Sequence, residues 1–351
     1  IPATLQDALE ARFDRSSAVR EVAQVGAAIG RDFHYDLLEQ VANLSHAVLD
    51  VALDDLASSG LIFARGMPPD ASYTFKHALI QDTAYDSLVR SKRHDIHNRI
   101  AKSLLTLQPD ITETEPETLA HHYTEAGLLE DGIDWWTRAG QLASARSANP
   151  EALALLERGV GLITDLPESE TRHRRELSLQ TALFGPLINV VGQTSEELEA
   201  AYTRTLELCE KVESPENMFR ALFAKSLAHG MRGQHAQCGK VAVDLVQRAE
   251  RASDQGALMI GHRMVALSKF LLGQIFEAQE HVDIVLSTFD REQHGHVMVT
   301  YGQDPATISE SYQALFQWVS GWPDKSRAAS ERAITQALEL DHVGTLGPVL
   351  S

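Results

Sequence analysis

The sequence predicts a mainly α protein in two parts: three helices closed by a small β wing, then helical hairpins along the rest of the chain. Three observations predict it. Apolar residues recur at helical spacing through most of the chain, the period switches to two in one short stretch after Gly60, and turn glycines return along the second half.

The elements follow in order. "TLQDALEARFDR" sets Leu5, Leu9 and Phe13 four apart, and "AVREVAQVGAAIG" sets Val19, Val22, Val25 and Ala28 three apart, so each reads as an amphipathic helix. A third pattern, "HAVLDVALDDLASSG", runs from His46 to Gly60, where the glycine suits a left-handed C-cap. "LIFARG" (61–66) and "SYTF" (72–75) then read as two β strands joined by the prolines and Asp70 of "MPPDA". Helical spacing resumes with Ile80, Ala84 and Leu88, and again with Ile96, Ile100 and Leu104. Three helices followed by a two-stranded wing describe a winged-helix domain, placed at 17–108. Such domains often read DNA with the third helix. Here that helix carries Asp50, Asp54 and Asp55 and no Lys or Arg between Ala47 and Gly60, so no nucleic-acid partner is expected.

From about residue 113 no strand pattern appears. "LAHHYTEAGLLEDGIDWWTRAG" places Leu119, Ala120, Tyr123, Gly127, Gly132, Trp136 and Ala139 at the spacing of a tetratricopeptide repeat, with large residues that fill and small ones that allow close helix contact. Later hairpins carry turn glycines at Gly233, Gly273 and Gly321, at intervals of 40 and 48 residues. The ideal repeat is about 34 residues, and "DREQHGHVMVTYGQDPAT" lengthens the last interval. An irregular tetratricopeptide-like α-solenoid is therefore expected over 113–351, each helix pair burying its apolar face on the next.

Composition narrows the function. With 31 basic against 49 acidic residues and a net charge of −18, the chain repels phosphates and anionic lipid. The basic stretches "RSKRHDIHNR" (90–99) and "RHRR" (172–175) sit beside acids and read as solvated helix faces. No apolar run reaches the roughly 18 residues of a membrane span. Cys209 and Cys238 have neither disulfide-framework nor zinc spacing, which fits a reducing cytoplasm. The chain begins with Ile1 and reads as part of a longer polypeptide, cut before its repeats end.

The series "IPATLQDALEARFDR", "AAIGRDF", "LDDLASSGLI", "YTFKHALIQDTAYDSL", "RHDIHNRIA", "LAHHYTEAG" and "WWTRAGQLASARSA" resembles the C-terminal part of bacterial STAND-type signalling ATPases. The resemblance is strongest to members in which a class III adenylate or guanylate cyclase domain precedes an AAA-like ATPase. It implies that residues 1–16 end the helical lid of that ATPase, and that a winged helix and a superhelical sensor follow. The chain itself has no G-x-x-x-x-G-K-[ST] phosphate loop and no recognisable cyclase aspartate pair. It is expected to be non-catalytic and to hold no cofactor, with ATP or ADP bound by the parent protein. The implied partners are the upstream ATPase domain and a protein or small effector on the repeats. The alternative is the sensor part of a LuxR-type STAND transcription activator, which would carry a C-terminal DNA-binding domain.

The same resemblance points to His77. In STAND relatives a winged-helix histidine contacts the β-phosphate of bound ADP and holds the ATPase closed. His77 lies where a strand meets a helix N-terminus, so its ring and the first amides of that helix could face one anion. Relatives place Asp directly after this histidine, whereas this chain has Ala78 there and Asp82 further on. The other reading of His77 is a helix cap or a packing residue under the wing.

No metal site is expected. His97 shares a face with Ile100 and Leu104, which makes it a core residue rather than a chelating partner of His94; His121 and His122 are adjacent and so diverge on a helix; His294 and His296 have no cysteine near them. Trp136 fills a repeat packing position, which leaves Trp135 and Trp322 as candidates for a partner surface.

Overall fold

The computed structural model describes Phe13 and residues 16–350, so the helix expected around Leu5 and Leu9, and most of the lid end expected at 1–16, lie outside the described residues. The chain forms two compact units: Ile1–Leu142 with Glu157–Leu166, and Ala143–Leu156 with Pro167–Ser351.

The first unit opens with α1 (Ser17–Ile29), capped by Ser16, whose hydroxyl accepts from the Val19 amide at 3.1 Å. There follow β1 (Asp32–His34), α2 (Tyr35–Val41), α3 (His46–Ser58), β2 (Ile62–Arg65) and β3 (Ser72–Phe75). The sheet is antiparallel in the order β1-β3-β2. A third strand, β1, thus pairs with β3 and corrects the two-stranded hairpin expected above. The added strand is only three residues long, with Phe33 buried between exposed Asp32 and His34. Phe33 is what anchors it: its ring lies 5.7 Å from that of Tyr73 and 5.5 Å from that of Phe75. On the other side, a Cβ on Gly26 would sit 2.9 Å from the Phe33 ring, so α1 lies on the strand only because that position has no side chain. The Tyr35 hydroxyl donates to Asp50 Oδ1 at 2.8 Å and ties α2 to α3.

Helices α4 (Ala78–Asp86), α5 (Arg90–Leu107), α6 (Ile111–Thr114), α7 (Pro116–Glu125) and α8 (Leu129–Ala145) follow. Ile80, Ala84, Leu88, Ile96, Ile100 and Leu104 are all buried, in one core with Val22, Leu49, Phe75, Leu119 and Tyr123. The α7–α8 hairpin has the repeat architecture that its sequence predicts. Leu119, Ala120, Tyr123, Trp136 and Ala139 are buried, and Gly127 takes a left-handed turn at φ 74°. Gly132 meets α7 so closely that a Cβ there would lie 2.8 Å from Thr124 Oγ1.

Helix α9 (Asn149–Ile163) precedes the helices of the second unit: α10 (Glu170–Ala182), α11 (Phe184–Val190), α12 (Glu196–Val212), α13 (Pro215–Met231), α14 (His235–Ala252), α15 (Gln255–Leu271), α16 (Ile275–Thr288), α17 (Arg291–His294), α18 (His296–Tyr301), α19 (Pro305–Val319), α20 (Pro323–Leu340) and α21 (Val343–Leu350). Gly233, Gly273 and Gly321 turn the α13–α14, α15–α16 and α19–α20 hairpins, and the long interval is filled by the short helices α17 and α18. Within this unit each long helix from α12 onward packs on the next, the nearest-neighbour packing of a helical solenoid. Glu213, Ser253 and Asp341, with φ between 45° and 56°, end α12, α14 and α20. Among the described residues no strand follows Phe75, and no helix is long and apolar enough to cross a membrane.

Candidate functional site

Helix α4 connects two chemically distinct places. Its N-terminus carries His77, in extended backbone at φ −139° and ψ 144°, whose carbonyl accepts from the Ile80 amide at 3.0 Å. The His77 side chain is exposed and makes no capping hydrogen bond. Beside it the Lys76 ammonium lies 5.6 Å from the centroid of the exposed Phe63 ring, and Leu79 is also exposed. The start of α4 therefore presents a histidine, a lysine and two apolar side chains to the surface.

At the other end of α4 lies a buried polar chain that no sequence spacing reveals. Tyr85 donates its hydroxyl to Glu125 Oε2 at 3.1 Å and lies 2.9 Å from His97 Nε2. His97 Nδ1 is in turn 2.8 Å from His122 Nδ1. Donor counting fixes the protons. Ionised Glu125 only accepts, so Tyr85 donates to it and takes a hydrogen from His97 Nε2–H; His97 Nδ1 is then a lone pair that accepts from His122 Nδ1–H. Each link polarises the next toward the carboxylate. The Arg93 guanidinium lies 4.4 Å from the Tyr85 ring centroid and covers it.

Burial keeps the two histidines and the tyrosine of this chain neutral. His97 and His122 are 1% and 3% exposed, and burial first, then neighbouring histidines and Arg93, lowers His97 to about 4. His122 falls to about 3, again through burial and then through His97 and His121. Burial, followed by Glu125, pushes Tyr85 up to about 12. His121 is exposed, yet its ring centroid is 5.3 Å from that of His122 and 5.7 Å from that of His97. The ligand atoms of the three histidines all lie within 4.8 Å of one another. The expectation that His121 and His122 diverge is corrected here: their backbone directions differ, but the rings turn back toward one another beside His97.

Other residues singled out in the sequence have different surroundings. Trp135 is half-buried against the first unit's core, with the Arg138 guanidinium 5.4 Å from its ring. In the second unit Trp322 is 57% exposed at the turn after Gly321, with the Lys325 ammonium 4.8 Å from its ring. Met231, Leu271 and Val319, each two residues before a turn glycine, are exposed as well. The basic stretch 90–99 is tied down internally: Lys92 donates to Gln24, Arg99 to Val41 O and to Asp95, and Arg93 covers Tyr85. On α3 the exposed face carries Asp50, Val51, Asp54 and Asp55. Both cysteine thiols are buried and their pKa values raised by that burial, the opposite of what a nucleophile needs.

No family model matches the chain. An uncharacterized protein from Rhizobium meliloti (strain 1021) is 27% identical over 339 residues, which is 95% of this chain and 33% of that protein. The chain thus spans about a third of the length of this relative. Among solved structures, a Signal Transduction ATPase with Numerous Domains (STAND) protein with a tetratricopeptide repeat sensor, from Pyrococcus horikoshii, matches at 13% identity and a TM-score of 0.40, over 96% of this chain and 53% of that one. At that TM-score the likeness assigns neither function nor ligand.

Proposed function

We propose that this chain is the non-catalytic regulatory and sensor part of a larger signalling ATPase of the STAND type. The observation that carries the proposal is helix α4, which runs from the exposed His77 at the wing to Tyr85 in the polar chain that reaches the first repeat helix. A helix of 9 residues with one end at the exposed His77 and the other hydrogen-bonded to α5 and α7 is a suitable coupling element. Motif resemblance supplies the rest of the reading. His77 and the first amides of α4 face ADP held by the upstream ATPase domain, the repeats take a protein or small effector, and the output is a class III nucleotide cyclase. The exposed Trp322, with Met231, Leu271 and Val319 at equivalent turn positions, supports an effector surface in the second unit. The acidic α3, and a basic stretch whose Lys92, Arg93 and Arg99 are engaged within the first unit, support the absence of a nucleic-acid partner.

The test uses the full-length parent protein. Removing 167–351 cuts outside the first compact unit and should change basal ATP turnover or cyclic-nucleotide output by about 5-fold or more, the lower end of allosteric coupling. Turnover and output that ignore this deletion would refute a sensor role.

A further inference from the structure

We propose that His97, His121 and His122 form a binding site for a divalent transition-metal ion of the imidazole-preferring class, with Zn2+ as its simplest probe. Three imidazole nitrogens converge within 4.8 Å, from α5 and from two successive residues of α7. Imidazole donors suit Zn2+, Cu2+ and Ni2+ and are poor ligands for Mg2+ or Ca2+.

The geometry needs only local adjustment. With Zn–N bonds of about 2.0–2.1 Å, tetrahedral ligand atoms stand roughly 3.3 Å apart. The His97–His122 gap of 2.8 Å would open by about half an ångström, and the exposed His121 ring would turn inward. The proton shared by the two Nδ1 atoms moves to His122 Nε2, so that both Nδ1 lone pairs reach the ion. His97 keeps its Nε2–H on Tyr85, which is held by Glu125, and this histidine–tyrosine–carboxylate arrangement is the kind of outer support that orients metal-bound imidazoles. His121 opens the site to solvent, and a water completes the fourth position. The bound ion would staple α5 to α7, the contact that joins the wing side of the first unit to its repeat hairpin.

The experiment titrates the metal-stripped 351-residue chain with Zn2+ by calorimetry and repeats the titration with Co2+, reading the visible absorption of a tetrahedral ion. One ion per chain with micromolar or tighter affinity is expected, with a melting temperature that rises with Zn2+. His121→Ala removes an exposed ligand outside the buried chain, so its metal-free melting should match the wild type while Zn2+ affinity falls at least tenfold. Tyr85→Phe should weaken binding about 10-fold through loss of outer support. His262→Ala is the control: His262 and His281 form another Nδ1–Nδ1 contact of 2.8 Å, in the second unit and outside the three-histidine group, and its loss should leave affinity unchanged. Absence of micromolar binding, or binding that survives His121→Ala and disappears in His262→Ala, would overturn the proposal.

Discussion

His97 and His122 meet nitrogen to nitrogen, Nδ1 to Nδ1 at 2.8 Å, and neither ring is solvated. Such a contact holds one hydrogen only, so it cannot survive protonation of both rings. A free histidine ionises near 6.5, whereas His97 is lowered to about 4 and His122 to about 3. As pH falls below 6.5 the unfolded chain takes up protons that the folded chain refuses, and stability drops until the folded-state values are reached. Above pH 7 the pair adds no pH dependence. At pH 4 the cost from His97 alone should approach roughly 3 kcal/mol. Exchange protection factors in α5 and α7, corrected for the pH dependence of intrinsic exchange, should fall between pH 6.5 and 4.5; protection that stays level there would contradict the neutral pair.

Tyr85→Phe deletes one oxygen that serves two partners. It leaves the His97 Nε2–H without an acceptor and Glu125 without this donor, and should cost about 1–3 kcal/mol in chemical denaturation. The loss should appear as lower exchange protection in α4, α5 and α7. A variant as stable as the wild type would mean that water replaces the hydroxyl.

Gly132→Ala tests the repeat hairpin. The new methyl would fall 2.8 Å from Thr124 Oγ1 and 3.3 Å from the Thr124 amide, and the latter is backbone. Overpacking of this kind costs about 1–3 kcal/mol. The same substitution at Gly161, which has nothing within 4 Å, should be neutral or mildly stabilising.

His77→Ala in the full-length parent separates a nucleotide contact from a structural role. A hydrogen bond to a β-phosphate is worth about 1.5–3 kcal/mol, so ADP retention should weaken by that amount and basal output should rise. The exposed side chain makes no cap bond, so melting should barely change. Unchanged ADP dissociation would remove His77 from the nucleotide site.

The sequence made the helices legible where one face repeats cleanly. Ile96, Ile100 and Leu104 announced α5, and the repeat positions from Leu119 to Ala139 announced α7 and α8. It concealed β1, because three residues give a single alternation, and it concealed α2, whose seven residues make barely two turns. The buried polar chain was hidden for a different reason. Tyr85, His97 and Glu125 come from three helices, and only tertiary packing decides that their side chains share one interior. The available hint was a histidine on the apolar face of α5 and a second within the repeat motif of α7: two polar residues at positions reserved for core.

The turns of the second unit differ in how much editing they should tolerate. Inside each hairpin the left-handed residue is glycine, at Gly233, Gly273 and Gly321, whereas the turns after α12, α14 and α20 place Glu213, Ser253 and Asp341 on the same kind of backbone. A side chain there costs energy that glycine avoids, of the order of 1 kcal/mol. The permissible changes therefore run in opposite directions along the chain: replacing a hairpin glycine should be punished, while replacing Glu213, Ser253 or Asp341 by glycine should be accepted. In a comparison of many related chains, substitutions would then accumulate between hairpins and stay scarce within them, so the repeat boundaries could be read from variation alone.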